Sequence, residues 1–407
     1  MGTTSLGLPA TDTSRPAVLY LTNNLPCPPY SGGQLREYQL LKRLSRDFSV
    51  HLIAFLASGA ERAATEATRG IVASVTEVLS NPAAAPRSMP ARMRAYYAPD
   101  GIEIVRGISS RYPFVLAHVE GYFLSHYLAA IAPIQTVLVA ENIEFALEEE
   151  ANVLGYTGLN PIATRQAEVD AWRKASVCVC VTPEDAEIVR QNVGTVPVRC
   201  VTDGVDHLFA APDLRPPRPR SGRTCLYAAN YQWLPSRDAA IHLLRDIWPD
   251  TCQRVPGSQL ILAGFSLNGA LAEEAKRTTG VSIHGEYQCF EDIAAKANLF
   301  VFPMRFGGGI KVKVIEAISV GLPIVTTMNA LRGFPTEILE HVLIANSRQA
   351  LHETTCRALE DIDYGVIRAE RAKAILHASM PTWGDVASDL ARIWQEYASR
   401  ACSVASK

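Results

Sequence analysis

The chain has 407 residues, which at about 150 residues per domain predicts two or three domains. An apolar fraction of 48% and a charged fraction of 20% are ordinary for globular proteins and exclude a largely disordered chain. The 39 basic and 41 acidic side chains give a net charge of −2. Global charge therefore provides no basis for nucleic-acid binding, which needs clustered Lys and Arg.

Hydropathy and cysteine content predict a cytoplasmic protein with at most peripheral membrane contact. No apolar run reaches the roughly 18 residues of a membrane span, and residues 1–15 lack the apolar core of a signal peptide. The nine cysteines include no CxxC pair. Cys178 and Cys180 are expected on the same face of one strand, but no further His or Cys is near in sequence to complete a metal site. We expect free, mostly buried thiols.

Short β-branched runs alternate with helical patterns, which is typical of parallel sheets covered by helices. The candidate strands fall into two groups of five, at 17–21, 50–55, 114–119, 136–140 and 177–181, and at 225–229, 259–263, 281–283, 299–302 and 324–327. The Pro- and Arg-rich stretch 211–222 predicts an exposed connection between the groups. The predicted fold is α/β, with two Rossmann-like doubly wound parallel-sheet domains facing across a ligand-binding cleft.

The predicted domain bounds are 16–205 and 206–382, followed by a C-terminal helix at 383–400 that packs back on the first domain. The apolar face of this helix consists of Val386, Leu390, Ile393, Trp394 and Tyr397. Residues 82–94 indicate a mobile or variable insert. We interpret the nearby arginines as a solvated face rather than a site for an anionic lipid or acceptor, namely Arg87, Arg92, Arg94 and Arg106.

The strongest functional signal lies at 302–327, where a strand, a glycine-rich turn, a helix, a Gly/Pro stop and a second strand follow one another. Three glycines, Gly307, Gly308 and Gly309, permit close approach of the backbone to a ligand. The helix start behind them offers unpaired N–H groups and the positive end of the helix dipole. This arrangement suits phosphate, and three cations of the right sign are nearby, namely Arg305, Lys311 and Lys313.

The same segment resembles the donor-binding signature of family-4-type retaining glycosyltransferases of the GT-B fold, the glycosyl transferases group 1. In that family an E-x7-E motif continues into E-A-x-x-x-G-x-P-V, and Glu316-Ala317 and Gly321-x-Pro323-Ile324 match the second half. The resemblance implies that Glu316 binds the ribose hydroxyls of a nucleotide. Gly308 stands where the family often has the first glutamate, so backbone N–H groups are expected to replace part of that contact. The alternative for the whole segment is a flexible turn with solvated lysines.

The N-terminal half carries weaker signals of the same family. Gly32 and Gly33 follow the first strand, as does the family's glycine loop, and the resemblance implies that they border the donor diphosphate and the acceptor. Glu120 and Glu141 each follow a predicted strand, where many relatives have a histidine. Glu141 is either an acid/base or sugar-binding carboxylate or an exposed loop residue. His118 and the other single histidines are expected to be structural, because metal sites need several ligands.

Two further positions depart from the family pattern. Asp203 begins a D-G-V-D sequence that resembles the family's N-G-V-D linker. Asn230 stands where relatives often place an arginine on the diphosphate, while Arg237 lies near the place of a lysine. No G-x-S-x-G elbow appears and no G-x-G-x-x-G follows the first strand, which weakens hydrolase and dinucleotide-binding interpretations.

The residues and the resemblance together predict a metal-independent, hexosyltransferase-like glycosyltransferase without a cofactor. Its N-terminal domain would bind a hydroxyl acceptor (a glycan, lipid-linked sugar or small natural product) and its C-terminal domain a nucleotide sugar, with retention of anomeric configuration. The assigned catalytic residues are Arg305, Lys311 and Glu141, and the donor-binding residues are Gly32, Gly33, Gly307, Gly308, Gly309, Lys313 and Glu316. A catalytically inert sugar-nucleotide-binding protein and a sugar-nucleotide epimerase remain as alternatives.

Overall fold

The structure is a computed structural model that describes residues 14–60, 62–208 and 222–405. The chain divides into two compact units: unit 1 contains Met1–Asp203 and Trp383–Lys407, and unit 2 contains Gly204–Thr382. Most of the polar segment 1–15 and all of the predicted connection 211–222 except Gly222 lie outside the described residues.

Unit 1 contains a parallel seven-stranded sheet with the strand order β3-β2-β1-β4-β5-β6-β7. Its strands are β1 Ala17–Thr22, β2 Ser49–Leu56, β3 Ser74–Leu79, β4 Leu116–Glu120, β5 Thr136–Ala140, β6 Val177–Cys180 and β7 Val198–Cys200. Its first eight helices are α1 Gly32–Leu44, α2 Arg62–Arg69, α3 Ala91–Ala95, α4 Gly101–Ser109, α5 Leu128–Ile131, α6 Glu144–Val153, α7 Pro161–Lys174 and α8 Pro183–Val193.

Unit 2 contains a parallel six-stranded sheet with the order β10-β9-β8-β11-β12-β13. Its strands are β8 Thr224–Ala228, β9 Gln259–Ala263, β10 Val281–Gly285, β11 Leu299–Phe302, β12 Ile324–Thr326 and β13 Leu343–Ile344. Its helices are α9 Leu234–His242, α10 Trp248–Arg254, α11 Gly269–Arg277, α12 Phe290–Ala294, α13 Val312–Ser319, α14 Thr336–Leu339, α15 Arg348–Glu360 and α16 Ile362–Ser379. A π-helical segment, Leu243–Ile247, joins α9 to α10.

The last helix, α17 Trp383–Ala405, packs on the sheet of unit 1. Alternation along the strands divides the core of that sheet into two faces. One face buries Leu19 and Val119 against helices that include α7. The other buries Val18 and Val139 against α1 and α17, including all five residues predicted for the apolar face of α17. The amphipathic pattern of the last segment is therefore confirmed.

The predicted α/β class and all ten predicted strands are confirmed, but one strand boundary was wrong. β4 ends at Glu120 rather than at Val119, so Glu120 belongs to the strand. Residues 82–94 contain a short 3₁₀ helix and the start of α3. Arg92 in α3 lies 4.7 Å from the Phe123 ring centroid and 3.4 Å from the Glu144 carboxylate. Arg92 is thus contacted by neighbours while its side chain stays 38% exposed, and Arg87 and Arg106 are exposed as predicted.

Replacement of Leu390 by Ala tests the packing of α17. Leu390 is 1% exposed, and truncation of a buried leucine usually costs about 2–5 kcal/mol because a cavity remains. We expect a clear fall in the urea midpoint of unfolding. Val153→Ala serves as the control, since Val153 is 87% exposed and surface changes usually stay within about 0.5 kcal/mol. Equal effects of the two substitutions would contradict the burial of this face.

Candidate functional site

The strand orders of both sheets reverse beside their first strand, between β1 and β4 in unit 1 and between β8 and β11 in unit 2. In open parallel sheets, ligands bind beyond the carboxyl ends of the strands at such reversal points. The loop before α1 follows β1, and the predicted phosphate loop follows β11. Each unit therefore places its glycine motif at the position where its own sheet can bind a ligand.

Arg305, at the start of the phosphate loop, is fixed by a buried carboxylate. Its Nε donates to Asp238 Oδ2 at 2.9 Å, and its Nη2 donates to Asp238 Oδ1. The Asp238 side chain is fully buried, whereas that of Arg305 remains 33% exposed. A two-pronged charged pair of this kind fixes both position and orientation. The guanidinium is therefore held in place before any ligand arrives.

Lys311, assigned a catalytic role from the sequence, contacts its own loop. The side chain is buried, and its ammonium donates to the carbonyl oxygens of Gly308 at 2.6 Å and Gly309 at 2.8 Å. Because the N–H and C=O of a trans peptide point in opposite directions, the N–H groups of Gly309 and Ile310 point away from Lys311. Gly309 has a φ of +64°, in the region that favours glycine. These two hydrogen bonds of Lys311 thus stabilise the conformation of the loop.

Lys313 and Glu316 form an ion pair on α13, with Nζ and Oε2 2.7 Å apart. The ammonium also lies 5.2 Å from the Tyr287 ring centroid and 5.8 Å from that of Phe290. Burial raises the pKa of Glu316, although the positive charge of Lys313 opposes this effect. Glu316 is therefore on the first turns of α13, as expected, but it is held by its own cation.

A pocket of about 420 Å³ opens beside Arg305, at the carboxyl ends of β11, β12 and β13. Its lining residues are His242, Met304, Arg305, Thr327, Met328, Asn329, Asn346, Ser347, Arg348 and Leu351. Neither of the two positions that depart from the family pattern lines this pocket. Asn230 accepts a hydrogen bond from Gln232 N, and Arg237 is exposed on α9.

In unit 1, the Glu141 carboxyl lies against Gly33. A Cβ atom added at Gly33 would lie 3.1 Å from Glu141 Oε2, a contact tight enough that the carboxyl would have to shift. Burial raises the pKa of Glu141 to about 8, and the negative charge of Glu120 adds to the effect. Within the described part of the chain, no hydrogen bond or ion pair engages the Glu141 carboxyl. The structure thus brings together Gly33 and Glu141, which the sequence had assigned separately.

A hydrogen-bonded chain leads from α17 to Glu120 beneath this edge. Trp394 Nε1 donates to His118 Nδ1 at 3.1 Å, and Glu120 Oε1 lies 2.9 Å from His118 Nε2 and 2.5 Å from the Tyr20 hydroxyl. An indole N–H can only donate, so His118 Nδ1 accepts and His118 Nε2 carries the proton. His118 Nε2 and the Tyr20 hydroxyl therefore both donate to Glu120 Oε1. Although burial opposes it, these bonds lower the pKa of Glu120.

Arg36 of α1 ties the end of β7 to the same region. Its terminal nitrogens donate to Val201 O at 2.7 Å, Thr202 O at 2.8 Å and Asp203 Oδ1 at 2.5 Å. Asp203, predicted as the start of a linker motif, is thus buried and paired. Glu37, also on α1, accepts from Asn24 at 2.8 Å, and burial followed by the charge of Glu120 raises its pKa.

No role was predicted for Tyr20, Glu37 or Asp238, and Trp394 was predicted only on the apolar face of α17. The sequence does contain a signal for the cluster around Glu120. His118 and Glu120 are two positions apart in an otherwise apolar strand and therefore share a face. Asp238 gave no signal, since it is 67 positions from Arg305.

Two further expectations concern metals and membranes. Within residues 14–60, 62–208 and 222–405, no group of three or more His, Cys, Asp or Glu side chains is arranged to hold a metal ion. Eight cysteines have described side chains and carry free thiols; Cys178 and Cys180 are both fully buried, whereas Cys200 and Cys289 are exposed. None of the helices in the described ranges is long and apolar enough to cross a membrane.

Comparison with known proteins shows which family the donor-binding segment resembles. Residues 222–361 match the model of the family described as Glycosyl transferases group 1. The matched segment makes up about a third of the chain. It contains the phosphate loop, Glu316 and the Gly321-x-Pro323 sequence, so the resemblance inferred from these residues is confirmed. No curated protein sequence matches the chain.

Solved structures of glycosyltransferases show the same GT-B fold. Sucrose-phosphate synthase from Thermosynechococcus elongatus is 14% identical, with a TM-score of 0.69 over 94% of this chain and 99% of that chain. HepE from Anabaena, in complex with UDP and glucose, is 16% identical, with a TM-score of 0.66 over 93% and 99%. The UDP-forming α,α-trehalose-phosphate synthase from Burkholderia xenovorans, in complex with glucose-6-phosphate, is 11% identical, with a TM-score of 0.64 over 93% and 100%.

The raised pKa of Glu141 in this glycosyltransferase fold predicts a pH-dependent stability. Between the ordinary value of 4.5 and the native value of about 8, the native carboxyl keeps a proton that the unfolded chain loses. The free energy of unfolding of the wild type should therefore fall with rising pH, by up to about 1.4 kcal/mol per unit from this group. Glu141→Gln should lose this contribution, so it should gain stability relative to the wild type as pH rises.

Urea unfolding at several pH values between 5 and 8 measures the effect. Glu103→Gln, an exposed substitution on α4, is the matched control and should parallel the wild type. A difference between wild type and Glu141→Gln that stays constant with pH would contradict the assigned protonation.

Proposed function

We propose that the protein transfers a sugar from a nucleoside-diphosphate donor to a hydroxyl acceptor, with retention of anomeric configuration and without a metal ion. The observation that carries the proposal is the glycine loop at the reversal point of the second sheet, in a segment that matches glycosyl transferases group 1. Unit 2 would bind the donor and unit 1 the acceptor.

The phosphate loop supports diphosphate binding through preformed geometry. Arg305 is held by Asp238, and the inward carbonyls bound by Lys311 turn the N–H groups of Gly309 and Ile310 away from the ammonium. Preorganised donors of this kind stabilise charge that grows on a leaving group without a cost of reorganisation. On this proposal they take the negative charge that develops as the bond between the sugar and the diphosphate breaks.

In the proposed reaction, the acceptor oxygen bonds to the anomeric carbon on the face that the diphosphate leaves. The acceptor proton passes to the departing phosphate. Glu316 would accept hydrogen bonds from the ribose hydroxyls of the nucleotide in addition to its ion pair with Lys313. No step requires a metal ion or another cofactor, and the substrates are the nucleotide sugar and the acceptor alone.

A catalytically inert sugar-nucleotide binder is the second candidate, and specific observations favour it. Glycine at position 308 supplies no side-chain acceptor for the donor sugar. In addition, the ammonium of Lys311 binds loop carbonyls and that of Lys313 binds Glu316. Both candidates require the same nucleotide site, so binding is tested first.

A thermal-shift and calorimetric screen with UDP, GDP, TDP and ADP tests this site. A ligand that binds the native state raises its stability by mass action. We expect one nucleotide to stabilise the wild type, with UDP first in the screen because HepE is solved with UDP. Glu316→Ala should abolish the shift through loss of the ribose contact.

The matched control is Glu273→Ala on α11, which removes an exposed carboxylate paired with Lys276. It should bind like the wild type. Absence of binding by the wild type at millimolar concentrations of all four nucleotides would overturn the donor site and with it the proposed function.

A further inference from the structure

Glu120 and Glu141 project from neighbouring strands toward the same side of the sheet. Glu120 is in register with Val139 in the β4–β5 pair, and Glu141 is two positions after Val139. Val139 packs on the face covered by α1 and α17, and the Glu141 carboxyl, just after β5, lies against Gly33 of α1. Both carboxyls therefore belong to this face. Glu120 lies beneath the edge, whereas Glu141 lies at the edge, against Gly33.

The chain of donors fixes the ionised state of Glu120. His118 stacks on Tyr20 with ring centroids 4.5 Å apart, and both donate to Glu120 Oε1. Trp394 donates to His118 Nδ1 and so holds the ring with Nε2 toward Glu120. Glu120 Oε2 is buried and has no hydrogen-bond partner among the described residues. Its charge is therefore only partly neutralised at the oxygen that the chain does not reach.

The other charged groups around Glu141 have partners of their own. Arg36 and Glu37 face it from α1, Arg92 from α3 and Asp203 from the end of β7, while Tyr20 lies in β1. Arg36 binds Asp203 and two carbonyls, and Arg92 is paired with Glu144. Neither cation forms an ion pair with the Glu141 carboxyl within the described residues.

We propose that Glu120 is a positioning residue which keeps Glu141 protonated, so that Glu141 donates a hydrogen bond to a substrate oxygen instead of accepting a proton from it. This inference rests on the proposed function and narrows it. Glu141 then acts on a sugar or acceptor oxygen as a neutral donor, and deprotonation of the acceptor falls to the leaving phosphate. A ligand whose hydroxyl oxygens accept hydrogen bonds fits this edge, whereas a carboxylate or phosphate oxygen facing Glu120 would be repelled.

Infrared difference spectroscopy of the full chain across pH 4 to 10 tests the proposal without any substrate. The carbonyl band of the protonated Glu141 carboxyl is assigned by its loss in Glu141→Gln. In the wild type this band should disappear with a midpoint near pH 8, where the pKa of Glu141 lies. Glu120→Gln should move the midpoint lower, because the negative charge that adds to the effect of burial on Glu141 is gone.

Trp394→Phe provides a milder variant that keeps an aromatic ring in the core. Without the indole donor, the His118 ring is no longer held with Nε2 toward Glu120. The ionised form of Glu120 then loses support, and the midpoint for Glu141 should also move lower. Glu103→Gln, exposed on α4, should leave it unchanged. If Glu120→Gln does not fold, the wild-type midpoint and the shift in Trp394→Phe together test whether Glu120 keeps Glu141 protonated.

A wild-type band that titrates near pH 4.5, or a midpoint that neither Glu120→Gln nor Trp394→Phe changes, overturns the inference. These outcomes are distinct from failure of the proposed function, because the titration uses no nucleotide. A protein that binds none of the four nucleotides but shows the expected titration loses only its proposed function. A protein that binds a nucleotide but has an ionised Glu141 at pH 7 loses only this inference.

Discussion

Parallel pairing is the constraint on which the rest of this structure depends. Because every strand in each sheet runs in the same direction, all carboxyl ends lie at one edge, and the connecting helices cover both faces. The central strands must be apolar, and polar groups are tolerated where the strands end. The reversal of strand order then opens a binding place beside β1 and beside β8.

Burial explains why charged residues at these two edges bind each other so extensively. An isolated charge away from water is very costly, so buried charges are paired or change their protonation state. Unit 2 takes the first route, with Arg305 on Asp238 and Lys313 on Glu316. Unit 1 takes both: Arg36 pairs with Asp203, whereas burial raises the pKa of Glu141.

The sequence was sufficient for the strands that lie within the sheets, because they are continuous apolar runs. The three strands that it missed, β3, β7 and β13, are all at sheet edges, where one side lacks a neighbour and the apolar signal weakens. The phosphate loop was recognisable because its glycines, cations and Glu316 are contiguous in sequence. The contacts that hold Arg305 and Glu120 were not recognisable from the sequence, because Asp238 and Trp394 are distant in sequence and become neighbours only in the folded chain.

Lys311 and Glu141 show what residue type alone suggests about a side chain and what its surroundings add. A lysine in a glycine loop suggests a charge for phosphate, and this one donates to two carbonyls of the loop. A carboxyl after a strand suggests an acid/base or sugar-binding group, and burial followed by the charge of Glu120 favours its neutral form. In both cases the environment, which a sequence does not display, decides the chemistry.

The most direct test of the account is an NMR time course of UDP-, GDP-, TDP- and ADP-glucose with the purified protein and excess EDTA. The account predicts slow release of one nucleoside diphosphate to water, with α-glucose as the first sugar product from the α-linked donor. Three results would contradict retaining, metal-independent glycosyl transfer: release of β-glucose first, loss of turnover in EDTA, or isomerisation of the donor without release of the diphosphate. Persistence of all four donors would contradict it as well.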